Sequence, residues 1–234
     1  MSAPQDPGGP ASLGPSIELG IVFDLDGTLI DSRLDIAGAA NHALRVHGLP
    51  ELSLDEISSY VGDGARRLLA RAARLEPDAA LLEPLLEAFL GYYGAHATDH
   101  TTLLPGAREA LDALQHLPLA LCTNKPRATT DIVLSNLRLS SEFKVVVAGG
   151  DLPKNKPDPL PLQHIAQRLG LSTAQLVMVG DGPQDISCAK AAGARSVGVE
   201  GGIQVREGLD AAAPDVLLAS LLELPALVAS WLSP

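Results

Sequence analysis

The chain has 234 residues, and its 46% hydrophobic content is enough to bury a sizeable core and excludes global disorder. Against 17 Lys and Arg stand 28 Asp and Glu, a formal net charge of -11 that excludes a sequence-independent binder of nucleic-acid backbone or of anionic membrane. No run approaches the roughly 18 apolar residues of a membrane-spanning helix, and two cysteines, Cys122 and Cys188, make no disulfide scaffold but fit reduced thiols in a cytoplasmic protein.

Residues 1–17 open with a Pro- and Gly-rich run that lacks the apolar centre of a signal peptide, so they read as a disordered tail. Glu18 to Phe23 is a short apolar run ending in Asp24, the pattern of a buried strand, and a turn follows at Gly27. From Leu34 to about Ala97 the period becomes helical. Ile36, Ala40, Ala43 and Leu44 share one face of a first helix, and Ser53 with Glu56 forms a capping box before a second. Ala65 to Arg74 gives a third helix. Asp78 to Tyr93 gives a fourth, which Pro84 either kinks or starts anew.

After Pro105-Gly106 strands and helices alternate. Helix Ala107 to Leu117 precedes strand Pro118 to Cys122, and helix Ala128 to Leu137 precedes strand Lys144 to Ala148. Helix Leu160 to Leu169 precedes strand Leu176 to Val179, and helix Asp185 to Ala192 precedes strand Ser196 to Val199; Asp215 to Leu218 is a last short strand. Trp231 belongs to a C-terminal helical stretch. Strands alternating with single helices predict an α/β fold, a parallel sheet with helices on both faces, into which the helical block is inserted after the first strand.

In such a sheet, ligands bind beyond the carboxyl ends of the strands. Four polar clusters stand at those ends: Asp24-Leu25-Asp26-Gly27-Thr28, Thr123-Asn124-Lys125, Lys154-Asn155-Lys156-Pro157 and Gly180-Asp181-Gly182-Pro183-Gln184-Asp185. Brought to one edge, Asp24, Asp26 and Asp181 supply hard oxygens suited to Mg²⁺, without which they would repel one another. Lys156, the Thr123 hydroxyl and the turn at Asn124 complete what a phosphoryl group needs for charge neutralisation. Asp24, the first residue past its strand, is then the natural nucleophile, and Asp26 the general acid and base.

These four strings, in this order and each after a strand, resemble the motifs of the haloacid dehalogenase-like (HAD) hydrolases, and the resemblance runs from about Gly20 to Ala213. It implies a Rossmann-like core ordered 5-4-1-2-3, formed by residues 18–32 and 101–234, with residues 33–100 as a helical cap that closes over the site and selects the substrate. It implies catalytic roles for Asp24, Asp26, Thr123 and Lys156, and a Mg²⁺ site of Asp24, Asp26, Asp181 and Asp185. The acid two residues after the nucleophile argues for phosphoryl chemistry rather than dehalogenation, and the absence of Lys from 33–100 argues against a Schiff-base phosphonatase.

Further strings, FDLDGTLIDS (Phe23 to Ser32), YVGDGARRLLARA (Tyr60 to Ala72), CTNKP (Cys122 to Pro126) and KPDPLPL (Lys156 to Leu162), resemble the bacterial phosphoglycolate phosphatase branch. Gly62 and Gly64 would offer backbone N–H groups at a helix start, and Arg66 or Arg67 a guanidinium to a substrate carboxylate; a solvated helix face is the competing reading for both arginines. Asp63 stands where the commoner form has Asn, a charge unfavourable to an anion. Thr123, Asn124, Lys156, Gly62, Gly64 and Arg66 thus form the expected substrate set. The expected partner is a small phosphorylated metabolite, 2-phosphoglycolate first, handled by a monomer or homodimer with no nucleic acid or membrane. A sugar phosphomutase, or a phosphatase of N-acetylmuramate 6-phosphate or pyrophosphate, is the alternative. Lys154 competes with Lys156 for the phosphate role, Asp185 could serve only the first turn of its helix, and Asp31 reads as a loop or N-cap residue.

Overall fold

A computed structural model describes residues 18–76, 78–203 and 206–232, so the tail expected at 1–17 lies outside the described residues. In chain order the elements are β1 (Gly20–Phe23), β2 (Ile30–Asp31), α1 (Arg33–Val46), α2 (Leu54–Ser58), α3 (Ala65–Ala72), α4 (Leu82–His96), β3 (Thr102–Leu103) and α5 (Ala107–Leu114). There follow β4 (Leu119–Pro126), α6 (Arg127–Asn136), β5 (Val145–Gly149), α7 (Leu160–Leu169), β6 (Leu176–Gly180), α8 (Pro183–Ala192), β7 (Arg195–Val199), α9 (Arg206–Ala212), β8 (Val216–Leu218) and α10 (Leu224–Leu232).

Six strands form one parallel sheet in the order β5-β4-β1-β6-β7-β8. Counted along the core, the first five strands stand in the expected 5-4-1-2-3 order, and β8 extends the sheet beside β7. The strands are short and buried on both faces, because crossover helices cover each side. The two-residue period sorts the side chains. Ile21, Phe23, Leu119, Leu121, Val177 and Val179 pack in one hydrophobic cluster with the helical insert, α5 and α10. Val22, Ala120, Cys122, Leu176 and Met178 pack on the other side with Leu162, Ile165 and Ala166 of α7 and Ala189 of α8.

The insert comprises α1 to α4, and a two-stranded antiparallel ribbon of β2 and β3 closes its base. That ribbon is not visible in the periodicity, being only two residues per strand. It is locked from within: the buried Asp35 carboxylate accepts the N–H groups of His100 (3.0 Å) and Thr101 (2.8 Å) and the Thr101 hydroxyl (2.6 Å). Asp31 lies in β2 rather than at a helix cap, and accepts the Arg33 N–H at 3.2 Å. The fourth helix begins at Leu82, with Pro84 in its first turn, where a missing N–H costs nothing. The second helix carries the expected capping box, with Ser53 Oγ accepting the Glu56 N–H at 3.2 Å.

Candidate active site

The carboxyl edge of the sheet gathers the four loops. Past β1 the Asp24 N–H still donates to the Val179 carbonyl at 2.9 Å, so parallel pairing fixes its backbone. The chain then turns tightly: the Leu25 carbonyl accepts N–H groups from Leu29 (2.9 Å) and Ile30 (3.1 Å). Leu25 sinks into the core, leaving Asp24 and Asp26 on either side of it to line one cavity. Gly27 sits at φ +88°, and a Cβ there would lie 2.1 Å from Asp181 Oδ2, so only glycine lets the turn press against that carboxylate.

Lys156, buried, stands between two of the acids. Its Nζ lies 2.8 Å from Asp24 Oδ1 and 2.5 Å from Asp185 Oδ1. Asp185, in the first turn of α8, also accepts the Gly182 N–H at 3.1 Å. Asp181 accepts the Thr28 hydroxyl (3.1 Å) and the Ile203 N–H (2.9 Å). Carboxylate oxygens from Asp24, Asp181 and Asp185 lie within 4.8 Å of one another, and all three residues are buried. Burial pushes the Asp24 carboxyl up to about 7, with Asp185 and Asp26 adding to the rise and Lys156 opposing it. Burial likewise raises Asp185.

These residues fit a divalent cation. Asp24 Oδ1 is buried and meets Lys156 Nζ without an aligned hydrogen bond, so Asp24 keeps oxygen lone pairs for a cation that two further buried carboxylates also face. Asp24, Asp26, Asp181 and Asp185 outnumber Lys125 and Lys156 by two negative charges when all are ionised, which one divalent ion would balance. An all-oxygen donor set suits Mg²⁺, Mn²⁺ or Ca²⁺ rather than zinc.

The opposite wall belongs to β4 and the insert. The Asp26 carboxylate accepts the Ser32 hydroxyl at 2.6 Å and Lys125 Nζ at 2.9 and 3.2 Å. Lys125 Nζ also donates to the Tyr93 hydroxyl of α4 at 2.6 Å. Thr123 and Asn124 are buried beside the cavity, and the Asn124 amide donates to the carbonyls of Gly62 (2.9 Å) and Lys156 (3.0 Å), joining insert to core. Above the acids the lining is largely apolar, with Ile36, Val61, Leu68 and Phe89.

The profile of the haloacid dehalogenase-like hydrolases matches residues 21–199. The chain belongs to this family. It is 41% identical over 211 residues to the phosphoglycolate phosphatase of Chromobacterium violaceum, covering 87% of this chain and 93% of that one. Against the phosphoglycolate phosphatase of Escherichia coli K12 the identity is 38% over 231 residues, covering 89% and 92%. A crystal structure described as a predicted phosphoglycolate phosphatase from Haemophilus somnus 129pt superposes with a TM-score of 0.84 at 30% identity, over 92% of this chain and all of that one.

Within this HAD site the structure separates residues that the sequence grouped. Asp24, Asp181, Asp185 and Lys156 meet, whereas the Asp26 side chain turns away from the three-acid cluster toward Lys125 and Ser32. Lys154 is exposed and pairs with Asp158 at 2.9 Å, which leaves Lys156 as the buried one of the two. Gly62 and Gly64 border the cavity, but Arg66 does not: it is exposed and bonds Glu83 of α4. Asp63 turns from the cavity to Arg71, so its charge is already paired.

Lys125, Tyr93, Ser32 and Thr28 are residues in contact with the candidate site's charged groups that sequence reasoning passed over. Three of them lie inside the quoted strings, beside the residues singled out, but only the folded chain shows what they touch. Tyr93 carries no sequence signal beyond membership of the insert. Cys122 and Cys188 are buried free thiols, and burial pushes the Cys188 thiol up to about 12, which makes both packing residues rather than nucleophiles. Among the described residues no helix is long and apolar enough to cross a membrane.

Proposed function

We propose that this HAD enzyme is a Mg²⁺-dependent phosphatase that hydrolyses a small phosphorylated carboxylic acid, 2-phosphoglycolate, through an aspartyl-phosphate. One observation carries the reading: Asp24, held in a buried cluster with Lys156 and Asp185, lines the same small cavity as a second acid, Asp26. The phosphoglycolate phosphatases that match nearly the whole chain support the substrate.

The chemistry assigns each residue one task. Asp24 Oδ attacks phosphorus, and the new O–P bond forms as the bond to the leaving oxygen breaks. Asp26 gives its proton to that oxygen; it then takes a proton from water as the water attacks phosphorus and frees Asp24. Lys156 and the Thr123 hydroxyl neutralise and orient the phosphoryl oxygens. Mg²⁺ held by Asp24, Asp181 and Asp185 would supply a Lewis acid that offsets charge on the transferring group. Residues 33–100 act as the cap: α3 and α4 roof the cavity, and Asn124 ties its loop at Gly62 to the core. The site is complete within one chain, so this reading needs no second subunit, and two buried reduced thiols agree with a cytoplasmic setting.

A panel of phosphorylated metabolites with and without EDTA tests this. The highest kcat/KM is expected on 2-phosphoglycolate, with phosphate released and more than about 100-fold loss on metal removal. Undiminished activity in EDTA would sink the metal assignment, and isomer formation from a glucose phosphate without phosphate release would favour a mutase.

Metal binding also has an expected pH signature. Asp24 rises in the fold from 3.8 to about 7, so the stability that its proton contributes is present in full below pH 3.8 and is lost as pH rises through about 7. Mg²⁺ needs the ionised acids. The rise in melting temperature on adding Mg²⁺ should therefore be larger at pH 8 than at pH 5.5, by thermal unfolding at fixed ion concentration. Equal rises at the two pH values would contradict it.

A further inference from the structure

Lys125 is more deeply enclosed than a surface cation allows, and the roles assigned above do not use it. Its ammonium has three hydrogens to donate. They face Asp26 Oδ1 at 2.9 Å, Asp26 Oδ2 at 3.2 Å and the Tyr93 hydroxyl at 2.6 Å. The ammonium also lies 4.6 Å from the centre of the Tyr93 ring. With its donors committed, Lys125 has none left for a phosphoryl group, which distinguishes it from Lys156.

We propose that Lys125 is a positioning residue for the acid/base Asp26, and that Tyr93, delivered by the insert, holds Lys125 in place so that the acid/base is fully set only with the insert docked. The inference rests on the phosphatase reading and extends it. Asp26 Oδ1 is engaged twice, by Ser32 at 2.6 Å and by Lys125 at 2.9 Å, while Oδ2 keeps only the longer contact. Oδ2, the less engaged oxygen, is the one assigned to carry the proton to the leaving group. Lys125 fixes which oxygen that is by gripping the carboxylate from one side. Burial alone would push the Lys125 ammonium down, but Asp26 and Tyr93 outweigh it and hold the charge above its ordinary range. Burial pushes the Tyr93 phenol up to about 12, so it stays a neutral acceptor for that ammonium.

The same contacts explain why Tyr93 and not Tyr92 is the telling aromatic. Tyr92, one residue earlier on α4, stacks between His42 and His96 at 4.4 and 4.2 Å and meets neither acid. Tyr93 packs on Phe89, buried, and sends its hydroxyl across the boundary between insert and core.

Leaving-group dependence tests the proposal. An alkyl phosphate such as 2-phosphoglycolate needs its leaving oxygen protonated, whereas acetyl phosphate and p-nitrophenyl phosphate lose a stable anion. kcat/KM reports only steps through leaving-group departure, so it isolates Asp26 acting as an acid. For Lys125→Met we expect kcat/KM to fall about 100-fold on 2-phosphoglycolate and less than about fivefold on the activated esters. Lys125→Arg should recover part of the loss. Tyr93→Phe keeps the buried ring, so it carries the test if Lys125→Met fails to fold; its loss of about fivefold should again be confined to the alkyl ester. Equal losses on both kinds of ester, or none, would overturn the proposal. Wild-type protein inert toward every ester would instead overturn the phosphatase reading beneath it.

Discussion

Asp24→Asn is expected to lower kcat by on the order of 10⁴-fold or more while the fold persists. The proposed nucleophile is one oxygen of a side chain that β1 delivers at a fixed point, its backbone N–H held by the Val179 carbonyl. An amide there keeps the shape and loses the attacking lone pair. The same substitution has an opposite consequence for stability. Burial already pushes the Asp24 carboxyl up to about 7, so above that pH the folded protein holds a charge it resists. Asn mimics the neutral acid. In EDTA at pH 8 the variant should therefore melt at the wild-type temperature or above it, and it should gain less from Mg²⁺ because one of three carboxylates is gone. Rapid turnover in the variant would end the aspartyl-phosphate mechanism; a melting temperature several degrees lower would contradict the electrostatic account.

Lys156→Met is expected to lose both activity and stability. Removing the ammonium leaves Asp24 and Asp185 buried beside each other without their shared counter-charge. Breaking a buried ion pair by deleting one partner costs about 3–5 kcal/mol, which in a domain of this size lowers the melting temperature by roughly 6–20 °C. Both acids then favour protonation, so the deficit should shrink as pH falls toward 5, and Mg²⁺ should restore part of it at pH 8 by supplying charge from the other side. In the proposed mechanism phosphate binding also loses its buried cation, so kcat/KM is expected to fall by about 100-fold or more even with Mg²⁺ present. Melting curves with and without Mg²⁺ at the two pH values check the first part, and steady-state kinetics the second. A variant as stable as wild type in EDTA at pH 8 would show that Lys156 does not carry the cluster.

Much of this was legible in the sequence, for reasons visible in particular residues. A buried parallel strand must be a short apolar run, and a helix that covers it must show a 3.6-residue period, so Gly20–Phe23, Leu176–Gly180 and Leu160–Leu169 declare themselves. Ligands gather at the carboxyl ends of such strands, so the polar residues that break the pattern there, Asp24, Thr123, Lys156 and Asp181, identify the site before any coordinate is known. Boundaries were less legible. The strand placed at Pro118 to Cys122 runs on to Pro126, because after an irregularity in register Pro126 still pairs with Gly149 of β5, a contact no local pattern encodes.

The sequence by itself determined the class of fold, written in local periodicity, and the family, written in contiguous strings, whose resemblance implied the order of the strands; the same strings named the acids and lysine of the candidate site. Only the tertiary structure decided which partner each charge meets. Arg66 and Arg67 are adjacent in the chain, and only packing sends Arg66 to Glu83, while Asp63 pairs with Arg71 rather than facing the cavity. Asp24 and Asp26 are two residues apart, and only packing sends one to Lys156 and the other to Lys125. Tyr93 reaches that second lysine across 32 residues of sequence and from a separate helical block. The energy of a buried charge depends on what lies within a few ångströms of it, and sequence distance carries no record of that.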